Sequence, residues 1–129
     1  MDKNNLYLEW FGKGDDDELN AASILKHRDG TPNGVCFFAQ QIAEKYLKGL
    51  LVYKNIEFPK THDLVQLVTL LLPAYPEASS LSGEADLLSR YYVKVRYPDD
   101  SPERTWEEAE KVFASATSIK NFVISKIPS

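Results

Sequence analysis

The sequence contains a single cysteine, Cys36, and only two histidines, His27 and His62. One cysteine cannot form an internal disulfide, and one thiol with two imidazoles is too few for a zinc-ligand cluster. These shortages exclude a disulfide scaffold and argue against a structural zinc site. We therefore expect a protein of the reducing cytoplasm that holds no metal and no other cofactor.

Long apolar runs are also missing. The most apolar stretch, residues 64–72, is roughly nine residues long, whereas a membrane-spanning helix needs about 20. The first residues lack the charged segment and apolar run of a secretory signal. We therefore expect a cytoplasmic location, with no signal peptide and no membrane anchor.

Basic residues are fewer than acidic ones. The chain has 15 Lys and Arg residues and 19 Asp and Glu residues, which gives a net charge of −4. This balance argues against non-specific wrapping of duplex nucleic acid and leaves room only for a local basic site. The 129 residues are 43% hydrophobic and 26% charged. Such a chain is typical of one compact domain, which we expect to span residues 1–129.

Alternating runs of apolar and polar residues, the pattern of a half-buried strand, are absent, and helical spacing dominates instead. We predict an all-α fold, an antiparallel bundle of four or five helices with up-down topology. The predicted helices are residues 5–28, interrupted or kinked at Gly12 and Gly14; residues 35–53; a short helix from Thr61 to Leu72; a helix with Leu87, Leu88, Tyr91 and Val95 inward that stops before Pro98; and a last helix opened by Ser101 and Pro102.

The motifs of common enzymes are missing too. The sequence has no Gly-x-Ser-x-Gly, Gly-x-x-x-x-Gly-Lys, His-Glu-x-x-His or Gly-x-Gly-x-x-Gly, which argues against the usual hydrolase, kinase, metalloprotease and dinucleotide-binding classes. Four consecutive acids occupy residues 15–18. Neighbouring helical side chains diverge by about 100° and cannot converge on one ion, so we interpret this run as solvated charge at a helix start.

A polar strip interrupts the apolar second helix. Gln41, Glu44, Lys45 and Lys48 have the i, i+3, i+4, i+7 spacing of one helix face. Periodicity favours a solvent-facing strip with an ion pair between Glu44 and Lys48. The alternative is a strip that faces a cleft or a partner, where both lysines can bind phosphate.

Residues 90–100 hold the densest cluster of functional side chains, with three basic residues and three tyrosines. Arginine binds phosphate with a planar fork and tyrosine stacks on bases, which together suit a nucleotide or single-stranded RNA. The alternative is structural, with Arg96 paired to Asp99 or Asp100 at a helix end. His62, ahead of the third helix, either packs locally or acts on an anion or proton near neutral pH.

Three segments carry a resemblance to a known family. Residues 38–48, residues 59–64 and the Arg-Tyr-Pro-Asp of residues 96–99 together resemble the small single-domain prokaryotic form of the HEPN family, over nearly the whole chain. The resemblance implies an all-α bundle that often forms a homodimer with a cleft near its axis. It also implies a minimal nucleotidyltransferase as the partner in a toxin-antitoxin pair, which can transfer adenylate to a tyrosine, here Tyr97 or else Tyr92.

Many members of this family are metal-independent endoribonucleases that use an Arg followed, after four to six residues, by a His. This chain departs from that pattern, because no histidine lies five to seven positions after any of its arginines. We therefore expect a homodimer that binds a nucleotide or RNA and works with a nucleotidyltransferase.

The predicted site has two groups of residues. Arg96 and Lys45 hold phosphate with Lys48 beside them, while Tyr92 and Tyr97 stack or accept modification and His62 and Asp99 orient the site. The alternative is a metal-independent endoribonuclease with Arg96 and His62 as catalytic residues, which requires the two to lie within about 8 Å of each other. A second alternative is a non-catalytic interaction module with a large exposed apolar face.

Overall fold

The computed structural model describes residues 5–92 and 103–128, and these ranges contain helices and no strand. The five α-helices are α1 (Leu6–His27), α2 (Pro32–Tyr53), α3 (Leu64–Leu71), α4 (Ser82–Ser89) and α5 (Trp106–Ser125), with a 3-10 helix (Pro76–Leu81) directly before α4. The prediction of an all-α fold is confirmed. Within these ranges, no helix combines the length and apolarity that crossing a bilayer requires.

Helix α2 is the centre of the molecule. It packs along α1 on one side and along α5 on the other, while α3 and α4 cover what remains. The short link between the two 22-residue helices α1 and α2 makes them an antiparallel pair. Small residues of α2 allow this close approach, since a Cβ added at Gly49 would lie 2.5 Å from the Phe11 ring. A helix that is apolar on two sides is thus surrounded by its neighbours.

Helix α1 is continuous from Leu6 to His27, so the predicted interruption at its glycines was wrong. Gly14 is buried against α2, where an added Cβ would lie 2.8 Å from the Tyr46 ring. An interior glycine lowers helix propensity by about 1 kcal/mol relative to alanine. A side chain at this position would clash with the Tyr46 ring, which is buried between the two helices.

Helix α4 ends at Ser89, earlier than the predicted helix that included Tyr91 and Val95. The Ser89 hydroxyl accepts a hydrogen bond from the backbone N–H of Leu64 at 2.9 Å. The Tyr91 hydroxyl donates to Glu108 of α5 at 2.6 Å. These contacts with other helices hold the chain in a turn where sequence periodicity predicts another helical turn; Val95 lies outside the described residues.

Helix α5 begins at Trp106 rather than at the predicted Ser101–Pro102 start. Thr105 is its N-cap, and the Thr105 hydroxyl accepts from the backbone N–H of Glu108 at 3.0 Å. A threonine oxygen in this position satisfies one of the amides that the first helical turn leaves without a partner. Ser101 and Pro102 lie outside the described residues.

The starts of α2 and α3 also differ slightly from prediction. Helix α2 begins at Pro32, with Thr31 as its N-cap, because proline fits the first helical position. Asp63, not Thr61, caps α3 and accepts two backbone N–H groups. The cap at Asp63 fixes the residue immediately before it, His62, at the entrance to α3.

Candidate functional site

The candidate site is built around Glu44, near the middle of α2. Its neighbours on the same helix face are Gln40 and Lys48, and the three residues are 0–6% exposed. The interpretation of the polar strip as a solvent face was therefore wrong at Glu44 and Lys48. The predicted ion pair between them is present, but it is buried.

Three side chains hydrogen-bond to the Glu44 carboxylate. Oε1 accepts from Gln40 Nε2 at 3.1 Å and lies 2.9 Å from His62 Nδ1, while Oε2 accepts from Lys48 Nζ at 3.1 Å. Burial disfavours the charged form, yet the hydrogen bonds from Gln40, His62 and Lys48 outweigh it and lower the pKa of Glu44 below its ordinary value. Glu44 is thus ionised at neutral pH and acts only as an acceptor.

Gln40 fastens the loop that carries His62. Its Nε2 donates to the backbone carbonyl of His62 at 3.3 Å, and its Oε1 accepts from Gln41 Nε2 at 2.5 Å. His62 is therefore attached to α2 through its backbone by Gln40 and through its ring by Glu44. Two attachments on a rigid helix fix the orientation of the imidazole.

The rings of His62 and Tyr92 are stacked, with centroids 3.8 Å apart and planes 10° apart. We call this pair the His62–Tyr92 platform. The His62 side chain is 48% exposed, and Tyr92 is half-buried. Within residues 5–92 and 103–128, no group forms a hydrogen bond with His62 Nε2. The platform thus presents an aromatic surface at the edge of the buried network, together with a ring nitrogen that has no hydrogen-bond partner among the described residues.

Lys48 lies on the other side of Glu44, under two aromatic rings. Its Nζ is 5.6 Å from the centroid of Trp10 and 5.9 Å from that of Phe58, within reach of cation–π attraction. The Lys48 side chain is 8% exposed. A carboxylate and two ring faces therefore balance the ammonium charge, and the charge does not face solvent.

Lys45 points to a different partner. Its Nζ lies 2.7 Å from the carboxylate of Asp17 on α1, and both side chains are largely buried. The structure therefore brings Lys48, His62 and Tyr92 of the predicted site together around Glu44. It places Lys45 in a separate ion pair that joins α1 to α2.

The acidic run at residues 15–18 lies in the middle of α1, so its interpretation as a helix start was wrong. Asp15 accepts from the Tyr46 hydroxyl, and Lys120 of α5 lies 2.5 Å from Glu18. Burial, together with the neighbouring Asp15, raises the pKa of Tyr46. The run therefore links α1 to α2 and α5. In the part of the chain that the structure describes, no three His, Cys, Asp or Glu side chains are grouped to hold a metal ion.

Arg96, Tyr97 and Asp99 lie outside the described residues. The structure therefore gives no distance from Arg96 to His62, which the ribonuclease alternative requires to be short. The chain is well anchored on both sides of residues 93–102. Before them, Tyr92 stacks on His62. After them, the Arg104 backbone donates to Asn33 on α2 at 3.2 Å.

A second polar cluster surrounds Glu108. Its Oε2 accepts from the Tyr91 hydroxyl at 2.6 Å and from the Arg104 guanidinium at 2.9 Å. Hydrogen bonds from Tyr91 and Arg104 lower the pKa of Glu108, whereas burial and the contact with Glu108 raise the pKa of Tyr91 to about 12. This cluster fixes the chain on both sides of residues 93–102 to α5.

Sequence reasoning did not assign Gln40 or Glu44 to the site, although both hold His62 in place. A signal for them was present, because Gln40, Glu44 and Lys48 recur at four-residue intervals in a mostly apolar helix. Polar residues on a buried helix face require partners. The partner, His62, is not predictable from helical spacing because it lies in a different element.

Comparison with known proteins identifies the family of this chain. The family model of the HEPN domain matches residues 7–127. This chain belongs to the HEPN family. The crystal structure of TT1696 from Thermus thermophilus is similar, with 30% identity and a TM-score of 0.76, over 95% of this chain and 99% of that one. The crystal structure of ST0689, an archaeal HEPN homologue, has 27% identity and a TM-score of 0.74, over 95% and 98%. No curated protein matches this HEPN chain.

Proposed function

We propose that this HEPN domain is a cytoplasmic protein that binds a nucleotide or single-stranded RNA at the His62–Tyr92 platform. The observation that carries the proposal is the stacked, partly exposed ring pair held on α2 by Glu44 and Gln40. Stacking on aromatic side chains contributes about 1–3 kcal/mol per base and tolerates any base. A platform fixed before the ligand arrives loses little conformational entropy on binding.

Arg96 is the proposed phosphate ligand, with Tyr97 and Asp99 beside it. These residues follow Tyr92 closely in the chain, and Tyr92 is itself part of the platform. Lys45 and Lys48 are weaker candidates than the sequence indicates, because Asp17 and Glu44 already pair with them. A phosphate would have to displace a carboxylate to reach either ammonium.

Binding of a fluorescent single-stranded RNA, followed by anisotropy at fixed salt, tests the proposal. We expect Tyr92→Ala to weaken binding about 10-fold, as removal of one stacking partner predicts. The matched control is Tyr75→Ala, because Tyr75 is a half-buried tyrosine that packs against the core after α3. If native protein binds no RNA and no nucleotide, or if both variants weaken binding equally, the platform is not the site.

The proposal extends to assembly as a homodimer that works with a minimal nucleotidyltransferase. Family membership supports the dimer, since HEPN domains often dimerise. Light scattering that gives a monomer at all concentrations would contradict the dimer.

The proposed partner has a separate test. Co-expression with a nucleotidyltransferase followed by mass spectrometry should detect adenylate on Tyr97 or Tyr92, and modification of neither tyrosine would contradict the proposed partner.

Metal-independent cleavage of RNA is the second candidate, and the exposure of His62 favours it. A general base needs a ring nitrogen free to take a proton, and His62 Nε2 has no partner among the described residues. Purified protein incubated with mixed RNA in EDTA should then cleave it, and both His62→Ala and Arg96→Ala should abolish cleavage. Intact RNA after incubation with folded native protein would exclude this candidate and leave the binding role.

A further inference from the structure

The contact between Glu44 and His62 determines which ring nitrogen carries a proton. Glu44 is 4% exposed and already accepts hydrogen bonds from Gln40 and Lys48. Its lowered pKa means that the carboxylate has no proton to donate. The 2.9 Å contact therefore requires His62 Nδ1 to be the donor.

A neutral imidazole has only one N–H group, so a proton on Nδ1 leaves a lone pair on Nε2. Nε2 is on the opposite side of the ring from the Glu44 contact, on a side chain that is 48% exposed. Carboxylate–histidine pairs fix imidazole tautomers in this way in catalytic and metal sites. Here the fixed tautomer presents an acceptor to whatever lies on the platform.

We propose that Glu44 is a positioning residue that makes His62 Nε2 an acceptor for the ribose 2′-hydroxyl, so that the platform selects RNA over DNA. This inference rests on the proposed binding function. A base that stacks on the platform contacts the aromatic rings with its flat face. The sugar attached to that base then lies beside the edge of the rings. Of the sugar and phosphate groups, a 2′-hydroxyl inside the strand can donate a hydrogen bond, whereas phosphate oxygens only accept.

Three strands of one sequence test the selection: RNA, DNA and 2′-O-methyl RNA. The methylated strand keeps the 2′ oxygen but has no proton to donate. At a fixed pH of about 8 and fixed salt, we expect RNA to bind about 3- to 10-fold more tightly than the other two, the effect of one hydrogen bond. Gel analysis of the recovered strands confirms that they are intact.

His62→Phe keeps an aromatic ring for stacking and removes the acceptor. Because His62 is half-exposed, this variant should fold normally. We expect the ratio of RNA affinity to DNA affinity to fall to about one in this variant. The double variant Glu44→Gln with Lys48→Met removes both buried charges together, and its glutamine amide can donate to His62 Nδ1. The proton of the His62 ring is then no longer fixed on Nδ1. The preference for RNA should therefore shrink, although both rings of the platform remain.

The outcomes separate the two proposals. If native protein binds none of the strands, the proposed function fails. If it binds RNA and DNA equally, or RNA and 2′-O-methyl RNA equally, the binding function stands and the selection by His62 is wrong. If the preference for RNA is lost in His62→Phe but persists in the folded double variant, His62 reads the hydroxyl without Glu44, and the positioning role is overturned.

Discussion

Glu44 shows what a single buried charge does in this domain. A buried ion pair contributes little net stability when compared with apolar residues of the same shape, but removing one partner is strongly destabilising. Glu44 has charged or polar partners on both oxygens, and one of them, His62, reaches the surface. The residue therefore connects the stability of the core to the geometry of the candidate site.

Removing the charge of Glu44 should change the stability and its dependence on pH. We expect Glu44→Gln to lower the free energy of unfolding by about 3 kcal/mol at neutral pH, because Lys48 is left buried without its carboxylate. Adding Lys48→Met should recover most of that loss. Urea unfolding of the two variants and the native protein measures both effects.

The sign of the pH effect follows from the lowered pKa of Glu44. A group with a lowered folded-state pKa stabilises the protein fully above its unfolded value, about 4.3 for glutamate, and this contribution disappears as the pH falls through the lowered value. The difference in stability between native protein and Glu44→Gln should therefore narrow in acid. Glu107→Gln, at a site that is 80% exposed, is the control. A difference that stays constant down to acid pH would contradict this explanation.

At the scale of the element, α1 has two interior glycines with opposite surroundings. A Cβ added at Gly12 meets no atom within 4 Å, whereas one at Gly14 would lie 2.8 Å from the Tyr46 ring. The helix propensity of alanine favours both substitutions equally. Only the packing differs, so the two positions form a matched pair.

We expect Gly12→Ala to stabilise the protein by about 0.5–1 kcal/mol, the ordinary gain for an exposed helix interior. Gly14→Ala should destabilise it by about 1–3 kcal/mol, because the ring of Tyr46 must move to accommodate the methyl group. Thermal unfolding, checked by urea unfolding, measures both. Equal effects from the two substitutions would mean that α1 is not packed on α2 in this way.

The helix boundaries also show which parts of the fold can be predicted from the sequence. Helical spacing predicts α2 well because its apolar residues recur regularly over 22 positions. It predicts the end of α4 poorly, since Ser89 and Tyr91 are held by partners in other helices. The site follows the same rule: the pair of Glu44 and Lys48 is local and predictable, whereas the contact of Glu44 with His62 joins residues 18 positions apart.

For the whole molecule, the acidic net charge limits how nucleic acid can bind. With a charge of −4, the chain has no excess of positive charge to follow a long phosphate backbone. Two of its lysines, Lys45 and Lys48, are already paired with carboxylates. The proposed RNA binding would therefore depend on stacking and on a few local phosphate contacts.

The dependence of binding on salt measures the number of those contacts. Each phosphate neutralised on a single strand contributes about −0.7 to the slope of log K against log salt concentration. We expect a slope between about −1.4 and −2.1, for two or three phosphates. Anisotropy titrations over a range of KCl concentrations give this value. A slope steeper than about −4 would require an extended basic surface and would contradict a compact stacking site.

The position of Trp10 beside Lys48 makes Trp10 an intrinsic fluorescent probe of the Lys48 side chain. The chain has two tryptophans; Trp106 has the guanidinium of Arg28 4.4 Å from its ring, and Trp10 has the ammonium of Lys48 5.6 Å away. A charge so close to an indole shifts its emission wavelength through the local electric field. In a Trp106→Phe background, fluorescence therefore reports the ionisation and partners of Lys48 directly, without a label and without a ligand.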